Sequence, residues 1–337
     1  MISRAVIMKT VYGVTRAIVP VSARNRIMAS VAKSSLGAKL LERLNQENFF
    51  TQSSVALDIH GYEILMPERH HLKQILEREP LRENLLAQAS RILIQNKDDV
   101  FVDVGANIGD TAAVVYANAS QIPNSILIEP SDFYFNYLKL NQAKFPKSKI
   151  LQSFVAHEYP IQKLSGSLHH WGGTAKFIEK NGTGQTEQAP QIDLIEVINA
   201  RVKLVKIDCD GMDFRILKSV IPRLGKHSPA FYFENEITSL DQLSESNDVF
   251  ALFEKAGYKY VIVARNCGAL LYGGEIGESL RDILQLQYVL HAQGLRSAIY
   301  YTDVLVFSSH QITEYSKTMD LMRDSQKILV SRRVGSQ

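Results

Sequence analysis

The feature that most narrows what this chain can fold into is an alternation running from residue 100 to residue 307. Short β-rich runs at 100–104, 125–128, 150–155, 204–207, 230–233, 258–264 and 303–307 are separated by helical stretches. Runs such as Val-Phe-Val-Asp-Val and Ser-Ile-Leu-Ile are nearly continuous apolar, as strands covered on both faces must be. Strand–helix alternation implies helical crossovers, hence an α/β fold with a doubly wound, mainly parallel, seven-stranded sheet. At 337 residues and 45% hydrophobic, the chain can bury such a sheet and carry decorations.

Several classes are excluded early. The two cysteines, Cys209 and Cys267, cannot frame a disulfide-built secreted fold. The nine His form no HExxH or comparable spacing, so no structural zinc site is expected. The longest uncharged candidate for a membrane span, 111–128, is interrupted by Asn118, Ser120, Gln121, Pro123, Asn124 and Ser125. Charge is uneven. Residues 1–40 carry seven Lys and Arg and no acid, so the remainder of a chain of net charge +3 is four charges negative. A mildly acidic body argues against a nucleic-acid partner.

Four regions follow. Residues 1–48 read as a basic helical N-terminal extension, with Ile7, Val11, Val14 and Ile18 on one face, Lys9 and Arg16 on the other, and Pro20 as a breaker. Packing on the core or on a second copy, contact with an anionic membrane surface, and removal as an organelle-import peptide all fit that pattern. The expected compartment is cytoplasmic, at the membrane periphery if the extension binds lipid. Residues 49–95 read as a hairpin around His60-Gly61-Tyr62 and a helix over 71–95, interrupted at Pro80. Residues 96–310 hold the alternating core, with an insert at about 265–302 that contains a helix over Glu278–Ala292. Residues 311–337 read as a tail. Within the core, 165–190 is rich in Gly, Thr and Gln and reads as a long loop or irregular strands, and such inserts tend to be lids or substrate walls.

Ligands of such sheets bind at the carboxyl ends of the strands, near the point where strand order reverses. The first core strand ends in Val102-Asp103-Val104-Gly105-Ala106-Asn107-Ile108-Gly109-Asp110-Thr111. Gly105 and Gly109 permit a tight turn and close backbone approach. The spacing is DxGxNxG, not the GxGxxG of dinucleotide sites, and an acidic strand end suits an ammonium better than a pyrophosphate. Twenty-six positions after Asp103, the second strand ends in Glu129, whose carboxylate can accept both hydroxyls of a ribose.

VDVGANIGDT and ILIEPSD resemble the first two motifs of class I S-adenosylmethionine-dependent methyltransferases, and more closely those of the FkbM type. VKLVKIDCDGMDFRILK over 202–218 and FYFEN over 231–235 are similar to that family's later motifs. The resemblance covers roughly 96–264 and the last strand, and implies a Rossmann-like methyltransferase sheet with S-adenosylmethionine as cofactor. Asp103, Gly105, Asn107, Gly109, Glu129 and Asp208 are the cofactor-side positions it implies. Asp210 and Asp213 stand where the family often carries Glu, and Ala156-His157-Glu158 departs from its usual small polar residues.

Many FkbM-type enzymes methylate sugar hydroxyls. A small molecule or glycan is therefore the acceptor that the resemblance implies. A hydroxyl needs a general base or a cation to make it nucleophilic. Asp210 and Glu234, with His157 as a further choice, are the candidates for that chemistry. Clustered carboxylates raise one another's pKa and could also hold Mg²⁺, although no motif marks a metal site. His169, His170 and Trp171 could stack on a sugar face. Asp210 and Asp213 could instead cap the helix near Gly211. A nicotinamide-dependent oxidoreductase and a non-catalytic scaffold are the rival readings. The missing GxGxxG argues against the first, and an open acidic pocket against the second.

Overall fold

A computed structural model describes residues 53–158, 161, 166–171, 173–179, 190–295 and 298–334. The basic extension over 1–48, with its three readings, lies outside the described residues. The elements in chain order are β1 (Ser54–Ile59), β2 (Tyr62–Pro67), α1 (Leu72–Arg78), α2 (Asn84–Leu93), β3 (Val100–Val104), α3 (Asp110–Asn118), β4 (Asn124–Ile128), α4 (Asp132–Asn141), β5 (Ser148–Leu151), β6 (Phe154–Val155), β7 (Gly166–Trp171) and β8 (Thr174–Glu179). They continue with β9 (Gln191–Ile192), α5 (Leu194–Val197), β10 (Val202–Ile207), α6 (Asp213–Val220), β11 (Ala230–Asn235), α7 (Leu240–Lys255), β12 (Tyr258–Arg265), β13 (Leu270–Glu275), α8 (Glu278–Ala292), β14 (Thr302–Ser308) and α9 (Ile312–Val334).

The central sheet runs β13-β12-β14-β11-β10-β3-β4-β5. Pairing is parallel from β5 through β4, β3 and β10 to β11. β14 is antiparallel to both β11 and β12, and β13 is antiparallel to β12. All seven expected runs contribute strands, but the sheet has eight. The extra strand, β13, lies in the insert after Ala264, where Gly273 and Gly274 dilute the strand signal. The expected third strand is cut in two. β5 closes the sheet edge, while β6 leaves it and pairs in parallel with β9. The Gly-rich stretch holds the antiparallel β7–β8 hairpin. The helix over 71–95 breaks at Pro80 into α1 and α2, and α8 has the expected bounds. The residues read as a tail include the long helix α9.

Helices form two groups. α2 packs with α3 and α9, α7 packs with α6 and α8, and both α7 and α9 reach β12. The pleat divides the strands accordingly. Val102, Val104, Val205, Ile207, Phe231, Phe233, Val261 and Val263 belong to one apolar cluster with Phe250 and Phe253 of α7. Their neighbours Asp103, Lys206, Tyr232, Glu234 and Asp303 therefore share the other face, since successive side chains alternate. The register pairs Lys206 with both Asp103 and Tyr232, and Glu234 with Asp303. One sheet face is thus apolar up to the strand tips, and the other carries a buried polar row.

Candidate active site

The chain turns sharply after β3. Gly105, Asn107 and Gly109 all have positive φ (79°, 49° and 91°). Gly105 and Ala106 donate their N–H groups to the Ile128 carbonyl, at 2.9 and 3.0 Å, which ties this turn to β4. A Cβ at Gly105 would sit 1.9 Å from the Asp208 carbonyl oxygen, so the turn presses directly on the tip of β10. Gly109 serves a different purpose from the one expected. A Cβ there would meet Phe145 at 2.7 Å, so this glycine lets α3 begin against the core rather than face a ligand.

Glu129, just past β4, is 4% exposed. Its Oε2 accepts from the Asn107 N–H and its Oε1 from the Ser131 N–H, each at 2.8 Å. Burial pushes its pKa up to about 7, with the two N–H groups pulling the other way. Asp103 departs from the expectation that it faces the pocket. It is 0% exposed, accepts from Thr111 Oγ1 at 2.6 Å and pairs with Lys206 Nζ at 3.1 Å. The reason is register: β10 sets Lys206 directly beside Asp103 on one sheet face.

Lys206 is the residue that the sequence reading missed. It is 2% exposed, and its ammonium also donates to the Gly105 carbonyl at 3.0 Å and lies 3.5 Å from Asp208 Oδ2. The available signal was a lysine inside a parallel strand that should be buried on both faces. Breaking a buried pair strands a charge. Lys206→Met is therefore expected to destabilise the fold by about 3–5 kcal/mol, and Lys206→Met with Asp103→Leu by markedly less. Chemical denaturation of both variants checks this.

The tip of β10 carries the carboxylates. Asp208 keeps 40% of its side chain exposed. Asp210 adopts a left-handed conformation (φ 48°), followed by Gly211 at 98°. Burial, then the Asp208 charge, pushes the Asp210 pKa up to about 6, opposed by a hydrogen bond from the Ala175 backbone. Asp213 takes the capping role, accepting from the Cys209 and Gly211 N–H groups at 3.2 Å. Burial and neighbouring carboxylates hold the Cys209 thiol well above its usual range, and the side chain, part-buried against the apolar cluster, lines the first cavity rather than sitting in the core. Glu234, next to last in β11, is likewise pushed well up by burial and by Asp208, Asp213, Asp303 and Asp210.

Two cavities meet at these tips. The first, of about 640 Å³, lies over the apolar sheet face and is lined by Ile128, Glu129, Phe154, Val155, Met212 and Ile216, with Leu168, Ala175 and Phe177 of the β7–β8 hairpin. The second, of about 1430 Å³, lies over the polar row and includes Lys206, Glu234, Asp110, Arg82, Glu83 and Tyr301. Gly105, Asn107, Asp208 and Asp210 line both. The junction falls between β3 and β10, where the strand order reverses.

His157 lines neither cavity. Its Nε2 lies 2.7 Å from Arg215 Nη2 and 3.7 Å from Glu158 Oε1. This places it outside the chemistry proposed for it, because α6 supplies Arg215 on the outer side of the loop. His170 is held by Ser131, with 2.7 Å between Nε2 and Oγ, and neither His169 nor His170 lines the two cavities. The Trp171 side chain lies outside the described residues. Among the described residues, no group of three or more His, Cys, Asp and Glu is placed to hold a metal ion.

Residues 103–260 match the profile of a family described as the methyltransferase FkbM domain. This chain carries an FkbM methyltransferase domain. The expectation of an S-adenosylmethionine-dependent methyltransferase stands at that level. None of the curated proteins matches the sequence. Among solved structures, the FkbM methyltransferase of Methylobacillus flagellatus KT is 14% identical at a TM-score of 0.34, covering 49% of this chain and 40% of its own. Precorrin-6y C5,15-methyltransferase of Geobacter metallireducens GS-15 is 12% identical at 0.34, with 67% and 88% covered. The plantazolicin methyltransferase BpumL, solved with SAH, is 11% identical at 0.36, with 70% and 88% covered. At scores this low the likenesses say nothing about the acceptor or partners of this chain. The matched segment excludes His70, Arg82, Glu83 and Tyr301, so part of the second cavity's wall comes from outside the FkbM domain.

Proposed function

We propose that the FkbM domain transfers a methyl group from S-adenosylmethionine to a hydroxyl of a sugar, glycan or glycosylated metabolite. The observation that carries this reading is the meeting of an apolar and a polar cavity at Gly105, Asn107, Asp208 and Asp210. The first cavity is walled by Ile128, Phe154, Val155, Leu168, Phe177 and Ile216. Its apolar walls suit a nucleobase, and Glu129 at its edge suits a ribose diol. With Asp103 paired to Lys206 and the Gly105 carbonyl accepting from the same ammonium, the part-exposed Asp208 is the strand-tip carboxylate left for the donor's ammonium.

When bound, the donor supplies an electrophilic methyl carbon on a positively charged sulfur. The protein orients the acceptor and removes its proton. Two strand-tip carboxyls divide the labour. Asp210, at about 6, is ionised at neutral pH and serves as base. Glu234, whose carboxyl is pushed well up by burial and by neighbouring carboxylates, lies beside it as a hydrogen-bond partner for the acceptor. Lowering the pH through about 6 protonates Asp210, so turnover is expected to fall on that acid limb. Asp210→Asn is expected to lower turnover by about 10²–10⁴-fold and to remove the limb, while the donor still binds. Methyl transfer from labelled donor to a panel of saccharides, polyols and nucleic acids tests the acceptor class. Transfer confined to nucleic acid would overturn the sugar reading.

A further inference from the structure

His70 precedes the FkbM domain by more than thirty residues in the chain, yet it reaches the turn that lines both cavities. We infer that His70 is a positioning residue for the methyl donor, acting through Asn107. This rests on the donor reading of the first cavity.

The surroundings of His70 fix its tautomer. His70 is 6% exposed, and its Nδ1 accepts from the Leu72 N–H at 3.3 Å. An imidazole nitrogen that accepts cannot also carry the proton, so in the neutral ring the proton sits on Nε2. Burial lowers the His70 pKa to about 4, so the ring is neutral at ordinary pH. Nε2 and Asn107 Oδ1 are both buried, neither has a hydrogen-bond partner among the described residues, and the two side chains converge on the Gly173 backbone, to which Asn107 is bonded. Asn107 Nδ2 in turn donates to the Gly173 carbonyl at 2.7 Å, and its backbone N–H donates to Glu129. One asparagine thus joins the donor turn, the ribose-side carboxylate and the tip of the β7–β8 hairpin, whose strands wall the first cavity.

Asn107 needs such a holder. It stands in the left-handed region at φ 49°, a conformation that costs a non-glycine residue energy unless its surroundings fix it. The His70 ring also packs against the hairpin tip, where a Cβ on Gly173 would come within 2.8 Å of Cε1. An edge-to-face contact with Tyr134 at 6.0 Å completes the setting. The donor site is therefore finished by a residue that the domain itself does not contain.

Two substitutions separate the halves of the imidazole. His70→Asn keeps a group at the Nδ1 position and loses the Nε2 donor, whereas His70→Gln keeps the Nε2 position. Calorimetry with S-adenosylhomocysteine is expected to show His70→Asn binding at least 10-fold more weakly than the wild type, and His70→Gln within about 3-fold of it. Asn107→Gly, which preserves the left-handed turn, is expected to weaken binding as well. The double variant His70→Asn/Asn107→Gly is expected to be no weaker than Asn107→Gly alone. Should His70→Asn not fold, His70→Phe, which keeps the ring packing and drops both nitrogens, takes its place. Wild-type affinity in His70→Asn, equal losses in both His70 variants, or losses that multiply in the double variant would each overturn the inference. A folded wild type that binds no S-adenosylhomocysteine would instead overturn the donor reading itself.

Discussion

Replacing Glu129 by Gln is expected to weaken S-adenosylmethionine binding by roughly 10- to 100-fold, with the fold retained. The carboxylate uses one oxygen for the Asn107 N–H and the other for the Ser131 N–H. An amide must turn its NH₂ toward one of those donors, leaving a buried N–H unsatisfied at about 1–3 kcal/mol. It also cannot accept from both hydroxyls of a diol, which removes a charge-assisted contact of about 1.5–3 kcal/mol. The lost contact, felt only in the bound state, corresponds to roughly a 10- to 100-fold change in affinity, while the unsatisfied N–H lowers stability in free and bound protein alike. Calorimetry on the folded variant measures this. Affinity within a few-fold of the wild type would remove Glu129 from the donor site.

Gly105→Ala is expected to be the most damaging small substitution in the turn. The residue has φ 79°, and the added methyl would lie 1.9 Å from the Asp208 carbonyl oxygen, a backbone atom that cannot swing away. The left-handed conformation alone costs an L-residue about 1–2 kcal/mol. Separating β3 from the tip of β10 adds to that, because Lys206 Nζ and the Asp208 N–H are both fastened across this gap. A total of about 4 kcal/mol or more places the variant near the limit of stability for a single domain. Gly257→Ala is the matched control. Its φ is 86° and nothing lies within 4 Å of the added atom, so it is expected to cost only the conformational penalty. Thermal and chemical unfolding of the two variants separates steric from conformational cost. Equal stability in both would show that the β3–β10 contact yields easily.

Several residues that line the candidate site were legible in one dimension because its parts are local. Gly105, Asn107 and Glu129 lie in short stretches whose chemistry depends on a strand end and the turn after it, and these stretches reach the first cavity. The expected role of Asp103 failed for a non-local reason. Whether a strand-end carboxylate faces solvent or a lysine depends on the residue set beside it by a strand a hundred positions away. His157 failed likewise, since its neighbour Arg215 comes from α6.

The order of apolar runs and helical stretches was enough by itself to set the sheet and its seven main strands, because burial on both faces writes a continuous apolar signature into each strand. Only the tertiary structure decided which side chains meet at the strand tips. The pleat sorts residues onto one face or the other, and the register between distant strands pairs them, so Lys206 comes to Asp103 and Glu234 to Asp303. His70 joins the turn after β3 for the same reason. A contact between remote segments leaves no periodicity in either one, and only the packed chain brings the two together.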